Sequence, residues 1–175
     1  MWLSAKARNT SDFVLFRGSA GIYFGADFIG HADLPAVQRN EEFTLPLGLD
    51  PALSVERVLL SDQSSEPGMF GSKRTQESAW RIELKNAGAI SARPDGAVEV
   101  RVQESLPRAS DDRIEVELEK AKPEPAGGER WKKLREERGV LTWQLIVPRG
   151  GTAAIELATS IAYPAESRIV RRIER

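Results

Sequence analysis

The residues suited to chemistry in this chain are few. His31 is the only histidine, so a Ser-His-Asp triad or an imidazole general base would have to use it. Its setting, Ile29-Gly30-His31-Ala32-Asp33, has no nucleophile elbow nearby and reads as the end of a hairpin strand, where the ring serves structure or surface. A single imidazole would also need carboxylate help to hold a metal. Cysteine is absent, which removes disulfides, thiolate catalysis and cysteine-ligated zinc or iron–sulfur centres.

Among the carboxylates, Asp111-Asp112, following Pro107 and Ser110, is the best pair. Two adjacent carboxylates offer oxygen ligands to calcium, but their spacing is not that of an EF-hand loop. The local reading is an Asx or Ser turn that starts the strand at Ile114, because such side chains bond neighbouring backbone amides. No metal is therefore expected, with Asp111 and Asp112 the nearest candidates. Glu115, Glu117 and Glu119 share one face, with Glu99 in the neighbourhood. A glycosidase needs two carboxylates opposed across a cleft, whereas a row along one strand points one way, as a solvated face or an edge guard does. Gly127-Gly128 and Gly150-Gly151 read as turns without a phosphate-loop or dinucleotide pattern. No catalytic residue and no cofactor are assigned.

Binding chemistry is better represented. Trp131 lies among Arg130, Lys132, Lys133 and Arg135. An exposed tryptophan beside cations can stack on a sugar ring or anchor a partner protein. The competing reading folds Trp131 back onto the domain and leaves the charges wet. Trp131, Lys132, Lys133 and Arg135 are the binding candidates, and a protein or a glycan would be the partner class.

The elements that must position these residues are strands. Val98, Val100 and Val102 alternate with charged or polar residues, as do Ile114, Val116 and Leu118. Leu141, Trp143, Leu145 and Val147 repeat the pattern, and Ile155, Leu157, Ile161 and Tyr163 continue it after the turn Pro148-Arg149-Gly150-Gly151. Trp80, Ile82 and Leu84 form another run that stops at Asn86-Ala87-Gly88. Such alternation belongs to antiparallel sheets with one wet face. Ile22-Tyr23-Phe24 and Phe28-Ile29 flank Gly25-Ala26-Asp27 as a short hairpin. Pro46 places the segment Phe43 to Gly48 at an edge or a strand end, and Val55 to Leu60 is a further strand. Trp2, Trp80 and Trp143 fall at strand positions expected to pack in the core. Ser61 to Ser72 reads as a polar loop, and Ala121 to Arg138 as a charged excursion that either turns helical or extends a hairpin. The expected fold is an all-β antiparallel sandwich, immunoglobulin-like or related, as one domain over 1–175.

Composition narrows the partners. Lys and Arg number 25 against 26 Asp and Glu, so the basic excess that drives nucleic-acid binding is missing. Met1 to Asn9 is too polar for a signal peptide's apolar region. No segment reaches the ~18 apolar residues that cross a bilayer, so no membrane insertion is expected and the chain reads as soluble.

Several segments together resemble the DUF4139 family, whose members are often described as mucoidy inhibitor A-like bacterial proteins. They are Trp2-Leu3-Ser4-Ala5 with Asn9-Thr10-Ser11, Phe16 to Tyr23, Gly25 to Gly30, and Glu42 to Asp50. Trp80 to Asn86, Leu106 to Ile114, Gly139 to Trp143 and Tyr163-Pro164 complete the match. Arg17 stands where the family usually has proline, and Gly25-Ala26-Asp27 replaces its Asp-Gly turn. The resemblance implies the C-terminal β domain of a longer envelope or periplasmic protein, with an N-terminal half of coiled-coil character as a partner within the same polypeptide. It also implies a link to exopolysaccharide control, without naming an activity. The leading expectation is a non-catalytic binding or assembly module. The rival is a polysaccharide hydrolase or lyase with carboxylates gathered from loops, such as Asp50, Asp62 and Asp111.

Overall fold

The computed structural model describes residues 1–66, 72–109 and 111–167. These form ten strands and one helix, and the five strand pairings whose register is described are antiparallel. Two compact units result, Met1–Leu53 and Ser54–Arg175.

The first unit is built from two ribbons. β1 (Trp2–Arg8) pairs with β4 (Glu42–Leu49), and β2 (Gly18–Phe24) pairs with β3 (Asp27–Leu34). The expected hairpin is present, with Gly25 at φ 62 supplying the turn. In β4 the register steps from Leu3↔Gly48 to Ser4↔Pro46, so Leu47 is an extra residue. Proline is tolerated beside such a bulge because the ladder is already interrupted there. Leu3, Ala5 and Ala7 are half-buried, whereas Trp2 is 77% exposed. The core role expected of Trp2 is thus overturned: it shares its face with Lys6 and Arg8.

The second unit is the sandwich. β5 (Leu53–Ser65), β6 (Lys73–Asn86), β10 (Thr152–Pro164) and β8 (Glu115–Lys122) form a four-stranded sheet in that spatial order. β7 (Val98–Ser105) and β9 (Val140–Val147) form the facing ribbon. Between the layers lie Ile82, Leu141, Trp143, Ile155 and Leu157, each at most 3% exposed, with Trp80, Val102, Leu118 and Leu145 packed around them. Burying each such side chain stabilises by about 1.5–3 kcal/mol. Trp80 is half-buried beneath the Arg57 guanidinium, 3.6 Å from the ring centre, and Arg57 also pairs with Glu104 of β7. One side chain of β5 thereby ties the sheet to the facing ribbon. Ser61 to Ser65 belong to β5, so the polar loop expected from Ser61 is shorter than its composition suggested; Pro67 and Gly68 lie outside the described residues.

Asn86 closes the end of β6. Its side chain is wholly buried, donating to the Gly96 and Val147 carbonyls at 3.2 and 3.1 Å and accepting from the Gly88 and Ala89 amides at 3.0 and 2.8 Å. Asn86→Asp retains both acceptances and abolishes both donations, placing a carboxylate against two carbonyl oxygens. It is expected to lower the unfolding free energy by about 2–4 kcal/mol. Urea titration checks this, and an unchanged midpoint would show that the network carries no stability.

Candidate functional site

β8 supplies the first wall of the site, and its register explains how. Ala158 of β10 pairs with Lys120 and Thr159 with Leu118, so Glu119 is an extra residue. The bulge shifts the strand's alternation, which is why Leu118 and Ala121, three positions apart, both pack toward the core. Glu119 accepts a hydrogen bond from the Ser160 hydroxyl at 2.5 Å.

Beyond β8 the Lys122–Pro123 peptide is cis. The buried Trp143 indole donates to the Pro123 carbonyl at 2.9 Å, and the Ala126 amide donates to the Thr142 carbonyl at 2.7 Å. These two bonds hold the segment 123–127 against β9. The excursion that follows is helical: α1 runs Glu129–Arg138, rather than extending a hairpin. Its residues are mostly good helix formers, Glu129 opens it and Arg135 and Arg138 close it, which complements the helix dipole. Gly139 at φ 68 ends it, its amide donating to the Arg135 and Leu134 carbonyls. No residue of α1 is buried, so the helix lies on β9 without entering the core.

Between these elements is an open pocket of about 480 Å³. Its walls are residues 118–121 of β8, the segment 124–127, the α1 side chains Trp131, Lys132 and Arg135, and residues 140–142 of β9. Trp131 is half-buried, with the Arg130 and Arg101 guanidinium carbons 4.8 and 5.2 Å from its ring centre. The ring therefore packs on the domain and lines the pocket at the same time. Of the other lining charges, Lys120 pairs with Glu156 at 3.4 Å. Lys132, Arg135 and Glu124 make no ion pair among the described residues.

Three of the four binding candidates, Trp131, Lys132 and Arg135, therefore come together. Lys133 does not line the pocket and pairs instead with Glu137 at 3.6 Å. Residues that sequence reasoning missed are Lys120, Glu124 and Thr142, together with Arg101 beside the tryptophan, while Glu119, read there as part of a solvated face or an edge guard, also lines the pocket. The spacing of three between Leu118 and Ala121 was the available sign of a bulge. His31 is exposed on β3, its ring 5.0 Å from that of Phe28. The loop carboxylates have local partners: Asp50 accepts from the Ala52 amide, Asp62 from Gln76 and Ser78, and Asp111 from Arg113. No group of three or more metal-ligating side chains occurs among the described residues, and no helix there is long and apolar enough to cross a membrane.

Residues 12–165 match the family described as a domain of unknown function, DUF4139. The chain is 27% identical over 117 residues to Protein F37C4.5 of Caenorhabditis elegans, covering 67% of this chain and 20% of that protein. It thus spans about a fifth of the length of this curated relative. No solved structure matches it.

Asp111 forms the Asx turn expected of it, its carboxylate accepting from the Arg113 amide at 2.9 Å and from the guanidinium at 2.7 Å. Those bonds lower its pKa from 3.8 to about 2. Because the folded-state value is the depressed one, the stabilisation is present above pH 3.8 and is lost as pH falls toward 2. Carboxyl-carbon NMR should show Asp111 titrating near pH 2 and Arg113→Ala moving it up toward 3.8. A wild-type midpoint already near 3.8 would contradict the pairing.

Proposed function

The chain belongs to the DUF4139 family, and on that premise we propose that it is a non-catalytic binding or assembly module whose contact surface is the pocket beside α1. The observation that carries this reading is the convergence of Trp131 with Lys132 and Arg135 in one pocket, both cations lacking an ion-pair partner among the described residues. An aromatic wall beside uncommitted cations is recognition chemistry, since the ring offers area and the cations offer direction. The carboxylates nominated for hydrolysis give no comparable support, because Asp50, Asp62 and Asp111 each serve a local hydrogen bond. The envelope address and the link to exopolysaccharide control belong to this proposal and rest on the resemblance to mucoidy inhibitor A-like proteins.

Assembly with another part of a longer polypeptide is a companion reading. It is favoured by exposed apolar side chains on the first unit. Trp2 and its register partner Leu49 are 77% and 66% exposed, and Tyr23 and Phe28 pair edge-to-face at 5.3 Å on the β2–β3 ribbon.

The test is retention from bacterial envelope extract on the immobilised chain, with proteins and glycans read separately. Lys132→Gln combined with Arg135→Gln removes both charges while keeping good helix formers. A specific partner is expected to be retained by the wild type and reduced about tenfold by the double variant. Equal retention by the two would remove the pocket as the contact surface.

A further inference from the structure

We propose that the outer edge of β8 and the pocket beside it form one groove that receives an extended peptide strand from a partner protein, with an acidic side chain facing Lys132 and Arg135. This rests on the binding role given to the pocket above and names the partner's chemistry.

The first support is topological. β8 is the last strand of its sheet, paired with β10 on one side only. Among the described residues no other backbone group bonds to it. An edge strand carries a row of uncommitted amides and carbonyls that another chain can pair with.

The second is the shape of the pocket. Its wall includes four consecutive β8 residues, Leu118, Glu119, Lys120 and Ala121. Leu118 and Ala121 pack toward the core while Glu119 and Lys120 are exposed, so a cavity that meets all four takes in both faces of the strand and opens along its edge. A peptide lying there would pair its main chain with β8 and turn alternate side chains into the pocket, the division of labour seen in strand addition. The volume of about 480 Å³ falls within the range of specific ligand sites, roughly 300–1,000 Å³. The bulge at Glu119 interrupts the ladder and keeps any added pairing short, which limits open-ended self-association.

The third is charge. Lys132 and Arg135 are three positions apart on α1, hence on one face, and both line the pocket. Neighbouring cations are committed elsewhere: Lys120 to Glu156, Lys133 to Glu137, and Arg101 and Arg130 to the Trp131 ring. Of the lining carboxylates, Glu119 on β8 is engaged by the Ser160 hydroxyl and Glu124 on the loop has no ion pair among the described residues, so the pocket is polarised, acidic at the strand and loop and basic at the helix. That polarity sets the direction of the incoming acidic residue. A bidentate bond from Arg135 suits its carboxylate.

Displayed random peptides of about eight residues, a usual strand length, can be selected on the full chain. The expected binders alternate apolar and polar residues and carry an acidic residue at a fixed position. Their affinity should fall about tenfold with Lys132→Gln plus Arg135→Gln, and by a similar factor when alternate main-chain amides of the peptide are methylated. Circular dichroism and thermal melts confirm that the variant is folded. Binders that depend on Lys132 and Arg135 yet tolerate methylation at every amide would overturn strand pairing and leave the binding role intact. Failure to select any peptide that depends on those two residues would overturn the peptide proposal; envelope retention that still depends on them would then point to a glycan or a folded surface. Loss of that dependence as well would bring down the binding role with it.

Discussion

A buried amide side chain has two hydrogens and two lone pairs to satisfy, and Asn86 satisfies all four inside the second unit. Its own backbone adds two more bonds, the amide donating to Gly151 and the carbonyl accepting from Gly150. One residue thereby fixes the end of β6, the end of β9, the turn into β10 and the loop that leads to β7. The arrangement is costly to break because every partner is a main-chain group and the asparagine itself is held away from water. Asn9 applies the same device in the first unit. Its amide donates to the Phe13, Val37 and Gln38 carbonyls, while its oxygen accepts from the Ser11 amide and hydroxyl. Each asparagine stands where a strand ends and the chain turns irregular, which is where backbone groups most need partners.

From that anchor the constraint passes along β9 to the pocket. Val147, at one end of the strand, accepts from Asn86; Trp143 fills the core and reaches out to Pro123; Thr142 holds Ala126. The strand that completes the sandwich is therefore also the strand that positions the segment 123–127. Trp143 links the two roles most directly, since its ring is 1% exposed and its single donor is spent on the site's own loop. A cavity built on such a strand inherits the rigidity of the core, while its outer wall, α1, remains in solvent.

Much of this was legible in the residues, and the failures have definite causes. Alternation at 98–102, 141–147 and 155–161 correctly announced antiparallel strands; the wet face is clear at 98–102, where Glu99 and Arg101 are exposed, whereas 155–161, in a central strand, exposes no residue. The cationic setting of Trp131 singled out four residues, three of which line one pocket. The pocket's other wall stayed hidden, since a single inserted residue at Glu119 shifts the parity on which face assignments depend. Trp2 was misjudged on hydrophobicity alone, although Lys6 and Arg8 on the same face already spoke for solvent. Ser61 to Ser65 looked like loop because an edge strand exposed along its length gives no apolar alternation to read. No local pattern could have shown Arg101 reaching Trp131, a contact across 30 positions that only the folded chain brings about.

The helix that contributes Trp131, Lys132 and Arg135 buries none of its residues. Its formation relies on backbone-permissive ends and on side chains of ordinary helix propensity, so the core places almost no demand on its outward positions. Substitutions there are nearly free of folding cost, in contrast with Leu141 or Trp143 on the strand beneath. Divergence among relatives should therefore concentrate on this one helix, where a lineage can change the side chains beside the pocket without first acquiring compensating stability. The fold thus separates the residues that drift must spare from those that selection can retune.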